Sequence, residues 1–307
     1  MINRPAKNLL RHLFAQMNIT DLPAMSAHVQ ELISLTNSSQ STANDLAEVI
    51  LKDFSLTNKV LQVANSAYYS RGVPINSVHR AITVIGFTVV RQLAMAIALF
   101  EELIKSAEMQ EHLIRLLTKS FLSAMFARIH TEKKGLYVNP DEAFLCSLLY
   151  NLGEIVVAVY LPELYQEIAV KVQKGKDLDT AAKETLNNLT FIQIAKEIVL
   201  LWNFSKQIHG CLLPTPPKPK SSYDADANLK TVVIFSNHLV SLLCAGKSPK
   251  RLVFNCRRIV KIDLKESIEI FERSIEASTD ISYICRKGFE MLKIQEILQH
   301  AQSFIKK

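Results

Sequence analysis

Eight histidines are the residues with which this chain could hold a metal: His12, His28, His79, His112, His130, His209, His238 and His300. A metal that activates water to attack phosphorus is the chemistry they would support, and it needs imidazoles and carboxylates converging from neighbouring turns. The spacing does not offer that. No His-x-x-x-His or His-Glu-x-x-His run occurs, and no His-Asp dipeptide. Glu108 and His112 share a helix face, the spacing of a solvated surface pair. His238 stands beside Asn237 on an apolar helix with no nameable partner ligand, and is expected to be a hydrogen-bonded core histidine.

Nucleophilic catalysis is no better supplied. There is no Gly-x-Ser-x-Gly elbow, and the closest Cys and His are Cys211 and His209, whose spacing points them to different faces of a helix. The five cysteines (Cys146, Cys211, Cys244, Cys256 and Cys285) contain no Cys-x-x-Cys pair, which argues against both a disulfide framework and a zinc knuckle and leaves them as reduced, packed thiols. Only eight glycines are present, the two closest being Gly72 and Gly86, so neither a Gly-x-Gly-x-x-Gly turn nor a P-loop can be written. Nucleotide enzymes of those designs are excluded. No cofactor is expected.

The formal charge of +7 permits an acidic partner without demanding one. Its densest run is Lys247-Ser-Pro-Lys-Arg251 with Arg257-Arg258-Ile-Val-Lys261. Phosphate contact needs such a cluster, but no nucleic-acid motif accompanies it and aromatic residues make up only 7% of the chain, so a solvated basic face is expected and nucleic acid is not.

The elements that must position these residues read as helices throughout. Apolar residues recur near every 3.6 positions and alternating runs are scarce, so the class is all-α. Helices are expected from Arg4 to Met17, from Asp21-Leu22-Pro23, from Ser41-Thr42 through Leu51, over Asp53–Tyr69, from Ser77 to near Gly86, and from Thr88 into Glu102. More follow from Glu108 to Glu132, Pro140 to Tyr160, Pro162 to Lys174, Leu178 to Asn187 and Thr190 to Trp202. Pro214-Thr-Pro-Pro-Lys-Pro-Lys-Ser-Ser cannot pack as a helix and reads as an exposed loop. Helices resume over Leu229–Ala245, Lys265–Ser278 and Gly288–Ile305. These group into an N-terminal helical part (1–104), a second bundle (105–246, with a loop at 213–228) and a C-terminal helical extension (247–307). No stretch approaches the roughly 20 uninterrupted apolar residues of a membrane span, and Met1–Ala15, with Arg4, Lys7, Arg11 and His12 among its apolar residues, reads as an amphipathic helix and not a leader. A cytoplasmic protein without membrane contact is expected.

One stretch stands out. In Asp53-Phe-Ser-Leu-Thr-Asn-Lys-Val-Leu-Gln-Val-Ala-Asn-Ser-Ala-Tyr-Tyr69, Leu56, Val60, Val63, Ala64 and Ala67 form one apolar face. Asp53 and Ser55 sit where a cap would satisfy the first free amides, and Asn65-Ser66 sit where short polar side chains end a helix. Those ends are either ordinary terminators or a recognition surface.

The order of motifs resembles the HDOD family: Leu22-Pro23-Ala24-Met25, then the helix from Asp53 with Ala64-Asn-Ser-Ala-Tyr68, a basic loop, Ala81-Ile-Thr-Val-Ile-Gly86, and Arg91-Gln-Leu-Ala-Met-Ala. The resemblance covers roughly residues 8 to 245 and is strongest up to Ala98. It implies the helical fold of the HD phosphohydrolases, a multi-helix bundle with an N-terminal helical subdomain, and a place in bacterial signalling or regulation, usually without the metal ligands. At the positions where the resemblance places those ligands, the sequence has Lys119, Tyr150, Asn151 and Asn237. A lysine ammonium repels a metal, neutral tyrosine is a poor ligand near neutral pH, and asparagine brings no charge. The resemblance therefore implies a non-catalytic regulatory protein, binding a signalling partner or a small ligand in the cavity of the lost site. Asp53, Asn65, Ser66 and Arg71 are the candidate recognition residues. A divergent phosphohydrolase acting on a nucleotide or cyclic dinucleotide, and a nucleic-acid-binding regulator, are the alternatives.

Overall fold

The computed structural model describes residues 4–16, 31–32, 34–35, 41–65, 75–105, 110–201, 204, 206–217, 223–279 and 283–306. Among them there are helices and no strands. In chain order these are α1 (Arg4–Gln16), α2 (Ala43–Leu51), α3 (Phe54–Ala64), α4 (Val78–Ile85), α5 (Phe87–Lys105), α6 (Gln110–Lys134), α7 (Pro140–Leu149), α8 (Leu152–Tyr160), α9 (Pro162–Gln173), α10 (Leu178–Thr185), α11 (Phe191–Leu201), α12 (Lys206–Cys211), α13 (Ala225–Cys244), α14 (Lys250–Val260), α15 (Leu264–Thr279), α16 (Tyr283–Leu292) and α17 (Ile294–Lys306).

Local signals set the helix starts. Thr42 and Asp45 form a reciprocal capping box at α2. Asp53 Oδ1 accepts from the Leu56 amide at 3.0 Å at the head of α3. Ser77 caps α4, and Asn139 caps α7 with Pro140 in its first turn. Gly86, at φ +104°, turns the chain from α4 into α5 in a conformation that side chains rarely adopt.

Helices α2 to α5 pack on one another, and α5 joins them to a larger bundle through α6 and α7. Helix α6 is the axis of that bundle, with α7, α13, α15 and α16 against it. Its middle is buried almost all round, from Phe121 to Thr131, which is the pattern of a central helix rather than an amphipathic surface one. The C-terminal helices thus complete the same core: Gly288 of α16 lies so close to α6 that a Cβ there would stand 1.8 Å from Thr118 Oγ1.

Neither Pro140–Tyr160 nor Ala225–Cys244 is an uninterrupted apolar run, but both are long and apolar enough on average to cross a membrane by length and composition. Their apolar surface goes into the bundle, 83% and 72% of each being buried. The first is also two helices and not one. The chain breaks at Tyr150-Asn151, Asn151 sitting at φ −91°, ψ 11° with its side chain committed elsewhere. Other expectations are corrected too. Gly288–Ile305 is divided at Lys293, which takes a left-handed φ of 54°. Residues 250–260, expected only as a charge run, form helix α14, because Val253, Cys256 and Val260 give it a buried edge.

Candidate functional site

The helix break at Tyr150-Asn151 is where the site begins. Ser120 and Lys119 come from α6, Glu154 from the first turn of α8, and Asn237 and His238 from α13. Asn151 Nδ2 donates to Asn237 Oδ1 at 2.9 Å and to Ser120 Oγ at 3.2 Å. Asn237 Nδ2 donates to the carbonyls of Val233, at 2.9 Å, and Ser147, at 3.2 Å. A chain of neutral hydrogen bonds therefore ties together α6, the α7–α8 junction and α13, the elements on which the resemblance places the metal ligands. Asn151 makes no side-chain cap to α8; its side chain is turned toward α6 and α13 instead. Tyr150 is buried, donates its hydroxyl to the Leu213 carbonyl at 2.8 Å, and has its pKa raised by burial.

Tyr150, Asn151 and Asn237 line a cleft of about 640 Å³ together with Asp177 and Asp179 at the start of α10, Lys183 in its last turn, Lys196 of α11 and Pro214. Glu154 also lines it; burial raises its carboxyl pKa, against the opposing pull of Lys119 and a 2.9 Å hydrogen bond from the Tyr165 hydroxyl. His238 corrects an expectation: it is not a core histidine. It is exposed to the cleft and lies edge-on to the Tyr150 ring at 6.2 Å, with its pKa lowered by desolvation while Asp179 acts the other way.

The structure thus brings Tyr150, Asn151 and Asn237 together, with Lys119 close enough for its charge to act on Glu154. Sequence reasoning missed Glu154 and the wall from Asp177 to Lys196; no motif marks them, because they reach the cleft only through the packing of α8, α10 and α11. Among the described residues no group of three or more His, Cys, Asp or Glu could hold a metal ion. The chemistry of the donor set agrees: two neutral amides already satisfied by hydrogen bonds and a tyrosine held protonated do not fit a divalent cation.

Of the candidate recognition residues, Asp53 and Asn65 lie outside the cleft. Asp53 caps α3. Asn65 grips the backbone of Ile75, accepting from its amide at 2.8 Å and donating to its carbonyl at 2.6 Å, and also donates to the Leu61 carbonyl at 2.9 Å. Its side chain thus ties the end of α3 to Ile75, just ahead of α4. Ser66 and Arg71 lie outside the described residues, as does Glu108. Cys146 and Cys211 are buried neighbours; hydrogen bonding to Cys211, with burial, pushes the Cys146 thiol well above its ordinary pKa, as befits packed thiols.

Known proteins place this geometry. The chain superimposes on an HDOD domain protein of unknown function from Geobacter sulfurreducens with a TM-score of 0.63, 19% identity and coverage of 97% of this chain and 98% of that one. It matches a candidate phosphohydrolase from Shewanella amazonensis SB2B with a TM-score of 0.61, again at 19% identity, over 95% and 98% of the two chains. A candidate signal transduction protein from Marinobacter aquaeolei VT8 gives 0.62 at 19% identity, over 97% of this chain and 67% of that one. At these identities the likeness is one of fold. An uncharacterized protein of Treponema pallidum is 20% identical over 220 residues, which is 69% of this chain but 42% of that relative's length. The HDOD domain family itself matches residues 22–213, and the chain belongs to that family.

Proposed function

We propose that this protein is a non-catalytic signalling or regulatory component of the cytoplasm that works by binding, with the cleft over Tyr150, Asn151 and Asn237 as the place where a small ligand or a segment of a signalling partner is held. The observation that carries this reading is the Ser120–Asn151–Asn237–Ser147 hydrogen-bond chain. Polar groups that satisfy one another at the floor of a cleft shape and stiffen it, but they supply neither a Lewis acid nor an activated water. Charged groups of both signs on the walls, Asp177, Asp179, Lys183 and Lys196, suit a polar ligand.

A second reading is favoured by one observation: Glu154, Asp179 and His238 line the same cleft; they are not grouped to hold an ion as they stand, so a divergent phosphohydrolase acting on a nucleotide or cyclic dinucleotide would have to draw them together on binding one. One experiment separates the two. Untagged protein is incubated with manganese, iron, zinc or magnesium, passed through gel filtration, analysed for metal and assayed on cyclic dinucleotides. The binding reading expects no stoichiometric metal and no metal-dependent hydrolysis. Retention accompanied by turnover that His238→Ala abolishes would establish the enzyme instead.

A further inference from the structure

Helix α14 carries its charge in one stripe. Lys250, Arg251, Arg257 and Arg258 on the helix, with Lys247 in the loop before it and Lys261 at its C-terminal cap, are all exposed, and none forms an ion pair with a described carboxylate. The contrast with the end of α6 is direct: there Lys133 and Lys134 share the Glu266 carboxylate, at 3.0 and 2.6 Å. The opposite edge of α14, Val253, Cys256 and Val260, is sunk into the core, so the stripe faces solvent on a fixed support. At its centre stands Phe254, 63% exposed, with the Arg257 guanidinium 4.6 Å from the centre of its ring. None of these residues lines the cleft.

We propose that this stripe is a second binding surface, for single-stranded nucleic acid: the six cations hold the phosphates and the Phe254–Arg257 pair stacks a base. Charge complementarity alone would suit any polyanion, and two features narrow it. A planar guanidinium laid on an exposed aromatic ring is the flat, cationic platform on which unpaired bases stack. An anionic lipid surface would be held by the same charges, but it would gain little beyond them, because the apolar edge of α14 is already buried in the protein and leaves one phenyl ring to insert. The structural platform is what the bare charge run in the sequence lacked, and it turns an expected solvated face into a candidate interface.

The test is fluorescence anisotropy of the full chain with labelled oligo(U) and oligo(dT), over a range of salt. Binding is expected at low salt, with a log–log salt slope near −0.7 for each phosphate held. The Arg257→Glu/Arg258→Glu variant should lose at least about ten-fold in affinity, and its salt slope should flatten by about 1.4. Phe254→Ala keeps every cation and should still weaken binding by about five-fold or more through lost stacking. Melting temperatures of each variant confirm folding. Should the charge-reversal variant unfold, Arg251→Gln/Arg258→Gln takes its place, with the same sense of change. The proposal is overturned by failure to bind either strand at low salt, by affinity that Phe254→Ala leaves unchanged, or by equal binding of polyglutamate or of phosphatidylserine vesicles, which would identify an acidic protein or a membrane as the occupant.

Discussion

Asn237 sits on a helix whose interior gives it almost no water, yet every polar atom of its side chain is used. Replacing it by alanine removes the acceptor for Asn151 and leaves a cavity among buried groups, so Asn237→Ala should lower unfolding free energy by about 1–3 kcal/mol, read from urea denaturation. Asn237→Asp is the sharper variant. It would set a carboxylate against the Val233 and Ser147 carbonyls, which need donors, and should cost at least as much near neutral pH. His130 makes a second residue-scale prediction. Its imidazole is fully buried between α6 and the end of α14, with Nε2 2.6 Å from the Val260 carbonyl, and burial lowers its pKa from 6.5 to about 4. The unfolded chain therefore binds the extra proton first as pH falls. The stability owed to neutral His130 is complete above pH 6.5 and is lost between there and about 4; near pH 5 the loss should be about 2 kcal/mol. Comparing wild type with His130→Leu at pH 7.5 and 5 isolates this contribution, since desolvation lowers His112 and His238 in the same direction. An equal pH dependence in both proteins would refute it. What was legible at this scale was residue type. That Lys119, Tyr150, Asn151 and Asn237 are poor ligands follows from their chemistry alone, whereas the mutual bonding of Asn151 and Asn237 joins positions far apart in the chain and has no local signature.

At the scale of elements, a helix crossing decides how closely the cleft is framed. Gly153, in the first turn of α8, faces α11 where a Cβ would stand 1.9 Å from the Phe191 carbonyl oxygen and 2.9 Å from the Ala195 amide. Backbone cannot swing aside as a flexible side chain would. Although alanine is the better helix former by about 1 kcal/mol, Gly153→Ala should therefore destabilise by about 2–3 kcal/mol net, visible as a lowered melting temperature. It should also widen the cleft between α8 and α11. A neutral or stabilising effect would show that the two helices are not so close. Capped starts such as Thr42, Ser77 and Asn139 were readable because a cap is a local event. The break at Tyr150-Asn151 was not, because the apolar period runs through it unbroken and the cause, an asparagine drawn to α13, is tertiary. Helix α14 was hidden for a different reason: its charges dominate the composition of the segment, while three buried positions suffice to fold it onto α13 and α15. Lys293, neither Gly nor Pro, gave no warning of its left-handed turn.

For the whole molecule, the resemblance to the HD phosphohydrolases raises a testable question: whether this bundle has the geometry to hold a metal once ligands are supplied. Tyr150, Asn151 and Asn237 line one cleft, and hydrogen bonds from Asn151 cross-link α6, the α7–α8 junction and α13; Lys119 is near enough for its charge to act on Glu154 in the same cleft. If the frame is intact, ligands are all that is missing. The combined variant Lys119→His, Tyr150→His, Asn151→Asp and Asn237→Asp should then gain near-stoichiometric manganese or zinc after gel filtration, while the parent protein does not. Without metal, its new carboxylates would repel each other across the distance now bridged at 2.9 Å, so the variant should melt below the parent. Added metal should raise that melting temperature, because an ion that binds only the folded state stabilises it by mass action. Asn151→Asp alone, with Tyr150 and Lys119 still in place, should gain nothing measurable, since a divalent ion needs several convergent donors. Failure of the combined variant to take up metal while remaining folded would mean that the frame itself has drifted. The cleft would then be a new pocket built from the walls of α10 and α11 rather than the remnant of an old one, and its ligand would have to be sought from Lys183, Lys196 and Asp179 outward.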